Sequence, residues 1–162
     1  MLNPLALRVA GFMLAITGCG GAAAGDGTEP GSATQRLGDK QHCVGQSFAQ
    51  PRGLAAPERA PEPQLTCFDS FSEVIGHLSQ GTVRLAVDAT PEDLTEEHVN
   101  QMASLATYVI GIEYEHGNWG GATYTIWSGV TCSGHNHWVG GMPGGWNDIV
   151  SAARSFSGCN NS

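Results

Sequence analysis

Apolar residues recur at Phe71, Val74, Ile75 and Leu78, the i, i+3, i+4, i+7 spacing that draws one stripe along a helix. Ser70 and Glu73 stand where a capping box would open that helix, and Gly81 stands where it would stop. The next stretch, Thr82–Val87, alternates Val83, Leu85 and Val87 with polar neighbours, which predicts a half-buried strand. Thr90 as N-cap, Pro91 at the first helical position and acids in the first turn predict a second helix. It starts at 91 or 95 and runs to 106. "YVIGIEYE", 108–115, reads as a strand. Three short β-type pieces follow: "ATYTIW" at 122–127, "HNHWVG" at 135–140 and "SAARSF" at 151–156. Glycine-rich turns at 117–121, 129, 140–141 and 144–145 separate them. Short strands at this spacing predict a compact antiparallel β unit.

The pattern is different before residue 66. Residues 20–40 are rich in Gly, Ala, Ser and Thr and almost free of large apolar side chains, so they read as a flexible tether. A coil of this length reaches some 25 Å on average. Residues 49–64, "AQPRGLAAPERAPEPQ", form a proline-rich extended linker or loop. The division is then residues 1–18 as a signal segment, 19–65 as tether and linker, 66–110 as a helix–strand–helix preface, and 111–162 as the β unit.

The first eighteen residues carry one cation, Arg8, and an apolar run from Val9 to Ile16. That is a secretory signal, shorter than the roughly 20 apolar residues that span a bilayer. Ile16-Thr17-Gly18-Cys19 resembles the bacterial lipobox. The resemblance implies cleavage before Cys19, acylation of that cysteine, and membrane attachment through acyl chains worth about 0.8 kcal/mol per buried methylene. Gly20 stands where an aspartate would favour inner-membrane retention, so the same resemblance implies the outer membrane of the bacterial cell envelope.

Five cysteines become four once Cys19 takes lipid. Four thiols in an exported chain imply two disulfides among three connectivities. Cys132–Cys159 is favoured because both lie in the C-terminal unit, and Cys43–Cys67 follows by exclusion. Each would contribute on the order of 3 kcal/mol. The net charge is −8. Between Glu62 and Glu115 there are ten acids and a single cation, Arg84. Such a surface repels phosphate backbones and argues against a nucleic-acid partner.

Two short patterns carry a family resemblance. In "YEHGNWGG", 114–121, Tyr114, Glu115, Trp119 and Gly121 match the βγ-crystallin Greek-key signature, in which aromatics pack over a folded hairpin and the glycine takes a conformation costly to other residues. In "WNDIVSA", 146–152, Asn147, Asp148 and Ser151 match the calcium motif of microbial crystallins, with Ala152 departing from its second serine. Residues 111–159 as a whole resemble crystallin-like domains of secreted bacterial proteins, including the microbial metalloproteinase-inhibitor family. The resemblance implies a mainly β fold: a βγ-crystallin-like antiparallel Greek-key β-sandwich behind a short α-containing preface. It also implies calcium as the ligand, held by the Asp148 carboxylate, the Ile149 carbonyl and the Ser151 hydroxyl, with Asn147 beside them. Calcium takes six to eight oxygens. A complete family site borrows some from a second Greek key, and only one clear signature is present. The same string also suits a simple turn, with Asn147 and Asp148 capping it and Ser151 bonding a backbone amide.

Other chemistry is thinner. His135 and His137 share one face of a predicted strand and could grip zinc or copper with His116 or His42. Two histidines fall short of a closed site, and exposed strand histidines explain them as well. Glu113 and Glu115 alternate faces, so they form no acid pair. The chain has no Gly-x-Ser-x-Gly elbow, His-Glu-x-x-His or phosphate loop. All four tryptophans fall in the β unit, where they suit core packing or a carbohydrate platform. The expectation is a lipid-anchored, non-enzymatic envelope protein that binds calcium or another protein. The alternative is a peptidase inhibitor acting on extracellular proteases through the Cys132–His137 segment or the 140–145 turn.

Overall fold

A computed structural model describes residues 42–142, 145–146 and 148–159. The fold is mainly β with a few short helices. Strands β1 (His42–Gln46), β2 (Phe48–Pro51) and β3 (Thr66–Phe68) come first, then helix α1 (Phe71–Leu78). A 3₁₀ turn at Pro91–Asp93 leads into α2 (Glu96–Ala103). The last four strands are β4 (Tyr108–Tyr114), β5 (Thr123–Ser128), β6 (His135–Trp138) and β7 (Ala152–Ser155).

The helices form for the local reasons their sequences suggest. The Glu73 amide donates to the Ser70 hydroxyl at 3.3 Å, and the Ser70 amide donates to the Glu73 carboxylate at 3.1 Å. Phe71, Val74, Ile75 and Leu78 are all buried. Gly81 takes a left-handed φ of 80° and donates its amide to Gly76 O, which closes the helix. The second helical segment is split. Pro91 opens the 3₁₀ turn, and Thr95 caps α2 by accepting the His98 amide. α2 ends at Ala103, three residues before the expected end.

Five strands form one sheet in the order β3-β1-β5-β4-β7, and β2 pairs with β6 in a separate ribbon. β4 pairs antiparallel with β5 (Tyr114 opposite Thr123) and with β7 (Tyr114 opposite Ala152). β1, however, runs parallel to β5, His42 opposite Thr123, so the sheet is mixed rather than purely antiparallel. One face of the sheet carries α1, α2 and a core that includes Val74, Met102, Val109, Ile112, Tyr114 and Phe156. The other face buries Cys43, Ile110, Tyr124, Ile126 and Trp146, with Met142 and Ile149 packed against them. β4 is covered on both faces, which is why its apolar run is nearly continuous.

Two further expectations are corrected. Residues 82–87 form no strand. Ser79 Oγ accepts from the Val83 amide at 3.1 Å and donates to the Val83 carbonyl at 3.2 Å. Both backbone groups a ladder would need are thus engaged locally. Val83 is buried, but Val87 is 83% exposed. Order also begins earlier than residue 66: β1 and β2 lie in the stretch read as tether and linker, and β1 is an interior strand. Disulfides join Cys43 to Cys67 and Cys132 to Cys159. The first links directly opposed residues of β1 and β3, and the proline-rich stretch is therefore a closed loop.

Candidate functional site

The β4–β5 connection is a folded hairpin. The Glu115 amide donates to Ala122 O at 3.1 Å and the His116 amide to Gly120 O at 3.1 Å. The Ala122 amide donates to Glu115 Oε2 at 3.0 Å. The Tyr114 and Trp119 rings meet edge to face, with centroids 5.2 Å apart and an interplanar angle of 84°. Gly121 has φ +82°, and a Cβ built there would lie 2.7 Å from Glu115 Oε2. The four signature residues Tyr114, Glu115, Trp119 and Gly121 therefore converge on one turn, each with a separate physical task.

The loop before β7 runs beside this hairpin. The Ser151 amide donates to Tyr114 O at 2.9 Å, and the Ile149 amide to Trp146 O at 3.2 Å. Trp146 is fully buried and anchors the loop. Asp148 and Ser151 are exposed. The Ser151 hydroxyl donates to Ile149 O at 3.2 Å, so two of the proposed calcium oxygens are already neighbours. Asn147 lies outside the described residues, as does Cys19. The oxygen types at 148–151 fit a hard cation, but three donors are half or less of what calcium takes.

His135 and His137 line one cleft together, and neither His42 nor His116 joins them there. His137 Nδ1 lies 3.0 Å from Ser47 Oγ and its Nε2 3.4 Å from Thr131 O. Burial is the main cause that lowers its pKa below 6.5. His135 Nδ1 is 3.1 Å from Ser133 O, His42 Nδ1 is 2.9 Å from Thr123 Oγ1, and His116 Nε2 is 4.0 Å from Glu115 Oε2. Among the described residues no three His, Cys, Asp or Glu side chains gather as a metal site. Ser47 is buried and also donates its hydroxyl to Trp127 O at 3.2 Å, so its contact with His137 ties the β1–β2 corner to β6.

Three clefts emerge that the linear pattern did not reveal. One of about 830 Å³ lies between β2, the 61–66 stretch and the end of β5, with Phe48, Glu62 and Trp127 on its walls. Another, of about 510 Å³, separates β4 from β6 and holds Arg52, Glu113 and Asn136. Burial raises the Glu113 carboxyl above its ordinary range. The third, of about 430 Å³, is lined by Glu92, Tyr114, Trp119 and Arg154. Their lining residues come from elements far apart in the chain, so no local signal announced them.

No described helix is long and apolar enough to cross a membrane. Compared with known proteins, the chain matches no family model, no curated protein and no solved structure.

Proposed function

We propose that this chain is an exported binding module of the crystallin-like Greek-key type, without catalytic activity, held on a bacterial envelope membrane through lipid at Cys19. The observation that carries the reading is the turn at 114–122, where an aromatic pair, a carboxylate cap and a left-handed glycine meet. One part of the strand arrangement, the placing of β7 beside β4, is in keeping with it. A Greek key returns its fourth strand to lie beside its first. Here β7 lies beside β4, β4 pairs with β5, and β6 departs to the second ribbon.

Calcium is the ligand the 147–151 loop suits, through the Asp148 carboxylate, the Ile149 carbonyl and the Ser151 hydroxyl, with water completing the shell. So few protein oxygens imply weak affinity, about 10⁻⁴–10⁻³ M. At about ten times Kd, calcium adds about 1.4 kcal/mol of stability. The melting temperature should rise in millimolar calcium, and Asp148→Ala should abolish the rise. An unchanged melt of the wild-type chain removes calcium from the proposal. The anchor is tested by acyl labelling in a bacterial host, which Cys19→Ser should eliminate.

A second reading, peptidase inhibition, is favoured by one braced tip. Ser133 and Gly134 are exposed next to the Cys132–Cys159 bond. Arg52 donates its amide to Gly134 O at 2.8 Å and its guanidinium to Cys132 O at 3.0 Å. A pre-ordered exposed segment loses little freedom on docking into a protease cleft. Absence of inhibition across secreted metallo- and serine proteases eliminates this reading.

A further inference from the structure

The 430 Å³ cleft is assembled from three separate parts of the fold. Strand periodicity puts Ala152 and Arg154 on the helix-bearing face, and Phe156 of the following turn packs there too. Tyr114 reaches the same face from the end of β4. Glu92 comes from the 3₁₀ turn, whose neighbours Pro91 and Leu94 are buried. Trp119 comes from the folded hairpin and remains 40% exposed, although it is one of the largest apolar side chains in the protein.

Several features set this cleft apart from ordinary surface. Trp119 adopts φ +64°, a conformation rarely taken by a bulky residue and one that costs energy to hold. The edge-to-face contact with Tyr114 holds its ring in place. The Arg154 guanidinium lies over the Phe156 ring, 4.7 Å from its centroid, which fixes its position without using its N–H donors. Neither Arg154 nor Glu92 has a side-chain hydrogen bond or an ion pair among the described residues, where the one such pair is His116–Glu115. Burial raises the Tyr114 phenol above 10, with Arg154 pulling it down and Glu92 pushing it up. Both charges therefore act on one hydroxyl, which stays protonated at neutral pH.

The unspent capacity is complementary. Arg154 only donates, Glu92 only accepts, and the phenol does both. One positive and one negative group leave the cleft close to neutral, and the surrounding −8 chain disfavours an acidic ligand. A sugar ring has the matching form: an apolar C–H face to lie on an aromatic, and a rim of hydroxyls that donate and accept. We propose that this cleft binds a neutral sugar ring, with its C–H face against Trp119 and its hydroxyls shared among Glu92, Arg154 and Tyr114. The proposal goes beyond the reading above and rests on neither the lipid anchor nor calcium.

The test uses the full chain, titrated with neutral oligosaccharides of glucose, galactose, mannose and N-acetylglucosamine and followed by saturation-transfer NMR. Saturable binding of at least one is expected, weakened about tenfold or more by Glu92→Gln, by Arg154→Met and by Trp119→Ala. Trp119→Ala could loosen the hairpin, so the two polar variants carry the decision. Glu92 is exposed on a short turn, and Glu92→Gln should leave the melting temperature unchanged. Absence of saturable binding at about 10 mM sugar overturns the proposal. So does binding that ignores both polar variants.

Discussion

Replacing Gly121 by alanine separates the hairpin geometry from mere loop composition. The residue sits at φ +82°. An L-side chain there costs about 1–2 kcal/mol. The added methyl would also stand 2.7 Å from Glu115 Oε2 and 3.0 Å from Glu115 Cβ and His116 Cδ2. Glu115 would have to move, breaking its charged hydrogen bond from the Ala122 amide, worth about 1.5–3 kcal/mol. The two costs together come to about 2.5–5 kcal/mol. At about 4 °C per kcal/mol, thermal unfolding should drop by roughly 10–20 °C. Gly117 in the same hairpin is the control, because a Cβ there meets nothing within 4 Å and its φ is not left-handed. Gly117→Ala should therefore melt within a few degrees of wild type. Circular dichroism melts of both variants, with disulfides intact, measure the difference. In a Glu115→Ala background the hydrogen-bond cost disappears, so Gly121→Ala should cost less there. If Gly121→Ala and Gly117→Ala melt together, the hairpin is not built as described, and the strongest support for the crystallin-like reading is lost.

Other outcomes follow from individual contacts. A Cβ at Gly45 would overlap the Tyr124 ring and hydroxyl, so Gly45→Ala should destabilise by about 1–3 kcal/mol in denaturant melts, and Tyr124→Phe should recover part of the loss. Tyr124→Phe alone should cost under about 1 kcal/mol, because that buried hydroxyl has no partner to lose. Removing the Cys132–Cys159 bond, which closes a separation of 27 residues, should cost about 3 kcal/mol in the same assay. Burial lowers the pKa of His42 and His137 below 6.5, so the unfolded chain takes up protons first as pH falls. Their contribution is complete above pH 6.5 and is lost as pH drops through the lowered folded values. Glu113, raised by burial, acts in the opposite direction, favouring the fold below its ordinary 4.5 and losing that effect as pH rises. The melting temperature of wild type relative to His42→Gln/His137→Gln should therefore fall between pH 7 and 5, and a constant difference would refute the assignment.

What could be read from the chain alone was the part governed by neighbours in sequence. The 71–78 stripe, the Ser70–Glu73 box and Gly81 settle α1 within a dozen residues. The 108–128 hairpin is likewise local, since its turn carries its own aromatics, carboxylate and glycine. Distance in sequence decided the rest. β1 is short, has one large aliphatic side chain and lies beside glycine- and proline-rich sequence. It is a strand because β5, some 80 residues away, supplies a parallel edge and β3 an antiparallel one. The alternation at 82–87 misled because burial of Val83 needs no ladder once Ser79 takes its backbone groups. The Glu92–Tyr114–Trp119–Arg154 cleft joins a 3₁₀ turn, a hairpin and the last strand. Hydrogen bonds and caps act over a few residues and leave a sequence pattern. Strand pairing and cleft walls arise only when the whole chain has packed.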